Sequence, residues 1–169
     1  MVSDVFSEPK IDCHAHVFDP ARFPYGRDTH YTPAGQELGT PAEFAQLMDA
    51  YGVRFALLVE PNSGYDLDNA CMLDTIARGE GRYKGVAVVC NDATLDELRE
   101  LKRAGVLGVA WNVTHYGVDY YRDAEPLLRK LAALDMNIWS VKNTSLRERP
   151  FDLTLSRSTS YSICGVRSS

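Results

Sequence analysis

Five short apolar runs alternate with helical patterns between residues 10 and 141, and this alternation limits the possible folds more than any other feature. The most continuous runs are Phe55–Val59, Gly85–Val89 and Val106–Trp111. Nearly uninterrupted apolar runs are typical of strands buried on both faces, as in a parallel sheet. A first strand is predicted to run into His14, and Asn137–Val141 predicts a fifth.

The segments between these runs have clear helix boundaries. Thr40–Glu43 and Thr94–Glu97 are capping boxes, in which a threonine and a glutamate three residues later bond the free backbone N–H groups of a helix start. Gly52 and Gly105 follow the two apolar stripes and predict the helix ends. A further helix is predicted to begin near Asp123.

Strands that alternate with helices predict an α/β fold with right-handed crossovers, either an open doubly wound sheet or a barrel. The turns after the strands contain no Gly-x-Gly-x-x-Gly fingerprint, so a dinucleotide-binding sheet is unsupported. We therefore predict a partial (β/α)8 TIM barrel of about five strand–helix units, with its functional residues on the loops after the strands.

The predicted pattern stops near residue 141. Residues 1–141 are assigned to the N-terminal part of the barrel, and residues 142–169 to an irregular tail rich in serine and arginine. A full barrel of this type usually takes about 250 residues. The tail contains neither a capped helix nor a long apolar run, so we predict a product that is truncated or frame-shifted.

Composition excludes several function classes. The net charge of −5, without a basic block, argues against nucleic acid or an anionic membrane as the main partner. No apolar run approaches the roughly 20 residues of a membrane span, and the first residues do not resemble a signal peptide. The four cysteines are scattered without a Cys-x-x-Cys motif, which predicts reduced thiols in a cytoplasmic protein.

His14 and His16 are the strongest candidate functional residues. Side chains two apart on a strand point to the same face, so both imidazoles are predicted to face one side at the end of the first strand. Two histidines alone do not complete a zinc site, which needs three or four ligands. A pair of ordinary strand-end histidines is the alternative.

An acidic segment precedes the second predicted helix. Asp66, Asp68 and Asn69 have side chains that suit a metal ion. A helix N-cap with acidic residues near the first turn is the simpler interpretation of the same residues.

Several segments occur together in an order that is typical of one family. They are Ile11–Phe18, Arg22–Tyr25, Tyr31–Pro33, Asp68–Asn69, Gly85–Val89 and Ala104–Val109. Over roughly residues 9–141 the chain resembles the amidohydrolase superfamily of TIM-barrel hydrolases, and within it the branch similar to 2-pyrone-4,6-dicarboxylate lactonases.

This resemblance implies the hydrolysis of a small cyclic ester (lactone) or amide, a small-molecule substrate, by water at the barrel mouth. In most of the superfamily the first-strand histidines bind divalent ions, usually zinc, that activate the water. In the lactonase branch no metal is required, and the histidines polarise the carbonyl. His14 and His16 match this pair, which implies a catalytic role and a metal-binding role for both.

Two further residues are candidates for substrate binding. Tyr31 matches a loop tyrosine that contacts the substrate in the lactonase branch, a role that the resemblance implies. His115 follows the fourth predicted strand, where it either lines the barrel mouth or lies in a solvated loop.

The chain also departs from the lactonase pattern. Where the lactonases read Gly-Val-Arg-Phe-Asn, this chain has Ala110 in place of the arginine, so a bidentate carboxylate binder is lost and a dicarboxylate substrate is not expected. No histidine follows His115, and Asp152 lies in the tail, so the family's later ligands and its catalytic aspartate have no counterpart. The alternative function is a catalytically inactive half-barrel or a self-association module that forms a homo-oligomer through its open sheet edges.

Overall fold

The structure is a computed structural model that describes residues 8–27, 29 and 31–141 of the 169-residue chain. Within these residues, five parallel strands form one sheet in the order β1-β2-β3-β4-β5. The strands are β1 (Lys10–Ala15), β2 (Val53–Val59), β3 (Tyr83–Ala87), β4 (Val106–Asn112) and β5 (Asn137–Val141). The helices are α1 (Pro41–Tyr51), α2 (Ala70–Arg78), α3 (Leu95–Arg103), α4 (Val113–Tyr116) and α5 (Glu125–Ala133).

The strand order confirms the predicted architecture. Each strand pairs with the next one in the sequence, without the reversal that marks a doubly wound sheet. This is the arrangement of a (β/α)8 barrel, of which the described residues form about half. The predicted tail, 142–169, lies outside the described residues.

The local signals for helices α1 and α3 are confirmed. The Thr40 side chain accepts a hydrogen bond from the Glu43 amide, and the Glu43 carboxylate accepts one from the Thr40 amide at 3.0 Å. Thr94 and Glu97 form the same reciprocal pair at the start of α3. Gly52 ends α1 with a φ of 67°, a left-handed conformation that glycine adopts without steric cost.

Strand β3 ends earlier than the apolar pattern predicts. Val88 and Val89 continue the apolar run, yet the strand stops at Ala87. The Val88 amide donates to Asn69 Oδ1 at 3.0 Å, and the Val88 carbonyl accepts from Asn69 Nδ2 at 2.9 Å. A side-chain amide from the start of α2 therefore satisfies the backbone groups of Val88 at the carboxyl end of β3.

The sheet has a different apolar layer on each face. The helix-side core includes Leu58, Leu98 and Leu127, each of which has no exposed surface. Burial of each leucine contributes about 1.5–3 kcal/mol to folding. The opposite face carries a smaller group that we call the barrel-side cluster. Its buried members are Val59, Val86, Val88 and Ala110, with Leu57, Tyr116 and Trp139 packed against them.

The barrel side is only partly covered by the residues that the structure describes. Phe55 lies two residues before Leu57 on β2, so it points to the same face, and half of its surface is exposed (50%). No helix within the described ranges is both long and apolar enough to cross a membrane.

Candidate active site at the carboxyl ends of the strands

His14 and His16 face each other at the carboxyl end of β1. Their Nε2 atoms are 3.3 Å apart, and their ring planes are nearly perpendicular at 89°. Two nitrogens bound to one tetrahedral zinc ion at about 2.0–2.1 Å lie about 3.3 Å from each other. The same separation suits a hydrogen bond from a protonated nitrogen to an unprotonated one. The structure thus brings the predicted pair together with both nitrogens converging on one point.

The Val59 carbonyl at the end of β2 fixes the tautomer of His16. His16 Nδ1 lies 2.7 Å from this oxygen, and because a carbonyl can only accept, Nδ1 carries the proton. Nε2 then has a free lone pair that points toward His14. Burial lowers the pKa of His16; the Val59 hydrogen bond opposes this shift, and the nearby His14 charge adds to it. His16 is therefore a neutral imidazole at pH 7.

His14 is held by a different contact from His16. Both residues are exposed, and the His14 backbone amide donates to Asp12 Oδ1 at 3.0 Å. Asp12 thus holds the backbone of the strand end at His14. This contact positions the ring indirectly, through the main chain.

The described residues supply two ligands for a metal ion and not a complete site. A catalytic zinc site takes three protein ligands, and a structural site takes four. Among the residues that the structure describes, no group of three or more His, Cys, Asp or Glu side chains is arranged to hold a metal ion. The predicted zinc is therefore not supported by the donor set at His14 and His16.

Tyr31 lies on the long loop after β1 and is largely exposed. Its hydroxyl donates to the Glu37 carboxylate, and this hydrogen bond raises the pKa of Tyr31. Its backbone carbonyl accepts from the Gly64 amide at 2.7 Å, which ties the β1 loop to the β2 loop. Its predicted contact with substrate stays a prediction.

His115 lies in α4, directly after β4. Its ring is exposed and meets the Tyr116 ring edge-to-face at 4.6 Å between centroids. Its backbone amide donates to the Asn112 side chain at 3.1 Å. The structure confirms its position after the fourth strand, while its role in substrate binding stays a prediction.

Sequence reasoning missed a polar network that joins the loops after β2 and β4. Asn112 Nδ2 donates to Asn62 Oδ1 at 2.9 Å, and Asn62 Nδ2 donates to Asp66 Oδ1 at 3.1 Å. The Tyr116 hydroxyl donates to the same Asp66 oxygen. We call Asn62, Asp66, Asn112 and Tyr116 the mouth network. The position of the two asparagines, at or just after the end of a strand, was a signal that could have found it.

The expected N-cap with acidic first-turn residues is not formed, because the N-cap of α2 is Asn69, whose side chain makes no capping hydrogen bond, and the first turn contains no acidic residue. Asp68 Oδ1 accepts from the Ala70 amide at 3.0 Å, at the start of α2. Asp66 instead belongs to the mouth network, and its backbone is left-handed with a φ of 54°. Aspartate tolerates this conformation better than most residues do.

Glu60 is a second residue that sequence reasoning did not identify. It directly follows β2, is only 2% exposed, and neither of its carboxylate oxygens has a hydrogen-bond partner within the described part of the chain. Burial, together with a smaller effect of the nearby Asp68 charge, raises the pKa of Glu60 to about 9. Glu60 is therefore a protonated, neutral acid at pH 7.

Comparisons with known proteins agree with this architecture. The amidohydrolase family profile matches residues 11–138. A 4-sulfomuconolactone hydrolase from Hydrogenophaga intermedia is 36% identical over 107 residues, which is 62% of this chain and 34% of that protein. A 2-pyrone-4,6-dicarbaxylate hydrolase from Comamonas testosteroni is 32% identical over 111 residues, which is 65% of this chain and 35% of that protein.

A solved structure shows the same fold. The crystal structure of a probable 2-pyrone-4,6-dicarboxylic acid hydrolase from Acinetobacter baumannii, with citric acid bound, superposes with a TM-score of 0.69 at 28% identity. The match covers 78% of this chain and 48% of that one. The chain spans about a third of the length of these curated relatives. Because the family profile covers most of the sequence, the chain belongs to the amidohydrolase family.

Proposed function

We propose that this chain carries the first half of the active site of a lactone hydrolase, which opens a small cyclic ester by attack of water at the barrel mouth. The convergence of the two histidine Nε2 atoms at 3.3 Å carries this proposal. The names of the relatives support it, since they are hydrolases of a muconolactone and of a pyrone dicarboxylate.

The tautomer of His16 suggests how the pair acts. His16 Nε2 is unprotonated because Nδ1 donates to Val59, so Nε2 can accept a proton from the attacking water. His14 Nε2 can donate to the lactone carbonyl oxygen and stabilise the negative charge that develops there. The water oxygen bonds to the carbonyl carbon, the ring C–O bond breaks, and the proton passes from His16 to the leaving oxygen.

The direct test uses the full chain, one variant at His16 and one control variant elsewhere. Asparagine can reproduce the Nδ1 hydrogen bond to the Val59 carbonyl but has no atom at the Nε2 position. We expect His16→Asn to lower kcat for γ- or δ-lactones by about 100-fold or more, because a general base contributes about 10²–10⁴-fold. The melting temperature should stay close to that of the parent. Arg103→Gln, on the exposed side of α3, is the control.

Two results would contradict the proposal. One is the absence of turnover by the parent chain on any γ- or δ-lactone tested. The other is unchanged turnover in His16→Asn. A chelator distinguishes metal-dependent hydrolysis from hydrolysis through the histidines alone. Activity through the histidines alone should survive dialysis against EDTA.

The exposed barrel side favours a second candidate function, association with another copy of the chain. Phe55 is half exposed on the face that carries the barrel-side cluster, and β1 and β5 are the edge strands of the described sheet. Exposed apolar surface and unpaired strand edges both promote association. Light scattering across a concentration series tests this candidate, since a monomeric mass at all concentrations would contradict it.

A further inference from the structure

Val59 connects the histidine pair with the mouth network. The Val59 carbonyl binds His16, and the Val59 side chain belongs to the barrel-side cluster. Tyr116, the last residue of α4, packs against that same cluster. The Asp66 carboxylate, which accepts from the Tyr116 hydroxyl, therefore lies at the same end of the sheet as the histidines.

The network presents one negative charge. Asn62, Asn112 and Tyr116 are neutral side chains whose hydrogen bonds run toward Asp66. Both donors that reach Asp66 bind Oδ1, so among the described residues Oδ2 is left to accept a further hydrogen bond. A substrate group that donates hydrogen bonds suits this oxygen, whereas a second carboxylate is repelled.

In the part of the chain that the structure describes, the strand position that packs with Tyr116 carries no positive charge to balance Asp66. Ala110 on β4 is 7% exposed and lies within the apolar barrel-side cluster. An arginine at this strand position would supply a bidentate partner for a carboxylate, and alanine supplies none. The carboxylate of Asp66 and the alanine at position 110 therefore both disfavour a negatively charged ligand.

We infer that Asp66 makes this site selective for lactones that carry a hydroxyl group on the ring, and that it excludes lactones that carry a carboxylate there. This inference rests on the proposed function and adds the substrate class. The side chain that determines specificity is Asp66, held in place by Asn62 and Tyr116.

The test measures binding and does not depend on turnover. Lactams are stable isosteres of lactones, so 5-hydroxypiperidin-2-one and 6-oxopiperidine-2-carboxylate serve as probes in calorimetric titrations of the full chain. We expect the hydroxyl lactam to bind at least about tenfold more tightly, since unfavourable charge juxtaposition at a binding site commonly exceeds that factor. In Asp66→Asn the ratio should fall below about threefold, mainly through tighter binding of the carboxylate.

Matched controls separate the effect of the Asp66 charge at the mouth from the effects of net charge and of misfolding. Asp96→Asn, on the exposed start of α3, removes the same charge far from the mouth and should leave the ratio unchanged. Thermal unfolding of Asp66→Asn shows whether the fold is retained. If Asp66→Asn does not fold, Ala110→Arg provides the second test, because it should increase the affinity for the carboxylate probe alone.

Each outcome bears on one claim. Equal binding of the two lactams by the parent chain, or no binding of either, would overturn the inference. So would an unchanged ratio in a folded Asp66→Asn protein. Selective binding of the hydroxyl lactam without lactone turnover would uphold the inference about Asp66 and contradict the proposed hydrolysis.

Discussion

At the scale of single residues, the carbonyl of Val59 determines the chemistry of His16. A histidine whose Nδ1 donates to a backbone carbonyl has a fixed tautomer, and crowding by protein atoms disfavours its charged form. The alternation of strand side chains was enough to predict that His14 and His16 face the same way. It could not predict the partner of His16, because Val59 lies 43 residues away in the sequence.

The lowered pKa of His16 is directly measurable. In a 15N NMR titration of the full chain, we expect His16 to titrate below the ordinary histidine value of about 6.5. In His14→Ala the pKa of His16 should rise, because the repulsion from a charged His14 is removed. If catalysis needs neutral His16, the rate should stay high down to the lowered pKa and fall below it. A His16 pKa above the ordinary value would contradict this account.

Glu60 makes a separate prediction about stability and pH. In the folded protein Glu60 keeps its proton up to about pH 9, whereas the unfolded chain loses it near the ordinary value of 4.5. Between these values the folded state binds more protons, so the Glu60 contribution to the free energy of unfolding falls as the pH rises. The slope is at most about 1.4 kcal/mol per pH unit.

The variant Glu60→Gln removes this titration while keeping the shape of the side chain. We expect its advantage in urea-unfolding free energy over the parent to increase from pH 5 to pH 9. Glu100→Gln, whose side chain is 72% exposed on α3, should show no such trend. A pH-independent difference between Glu60→Gln and the parent would disprove a protonated Glu60. No sequence pattern marks this residue, because its burial depends on how the β2 loop packs.

At the scale of elements, local signals located the helices better than they located the ends of strands. The capping boxes of α1 and α3 are complete in the sequence itself, so both helix starts were predictable. The end of β3 depends on Asn69, a side chain from another element, and the apolar run therefore overestimated the strand. The mouth network escaped prediction for the same reason, since it joins loops 50 residues apart.

Asn69 should accordingly contribute more to stability than an ordinary polar residue. Its side chain satisfies both backbone groups of Val88. In Asn69→Ala the amide and the carbonyl of Val88 both lose their hydrogen-bond partner. We expect the free energy of unfolding to fall by about 2–4 kcal/mol. Thr94→Ala, which removes one helix cap, is the reference and should cost about 1 kcal/mol. Equal losses in the two variants, measured by urea unfolding, would show that Asn69 has no special role at the end of β3.

At the scale of the whole molecule, the alternation of strands and helices predicted the parallel sheet. It left a doubly wound sheet and a barrel open, and the missing dinucleotide fingerprint favoured the barrel, whose strand order the structure shows. It could not predict how the barrel side of that sheet is covered. That surface depends on whatever packs against β1, β5 and the half-exposed Phe55. The state of this face decides between the two candidate functions. A lactone hydrolase needs a closed mouth, whereas an association module needs an open side.

The contribution of this face to association is tested by charging it. Phe55 and Leu47 are similarly exposed, at 50% and 56%, but Phe55 lies on the barrel side of the sheet and Leu47 lies on α1. If copies of the chain associate through the barrel side, Phe55→Asp should shift the mass measured by light scattering toward the monomer, because a buried charge at an interface is strongly unfavourable. Leu47→Asp should leave the mass unchanged. Equal dissociation by both variants would place the contact elsewhere, and it would leave the barrel side of β2 free for the rest of a hydrolase barrel.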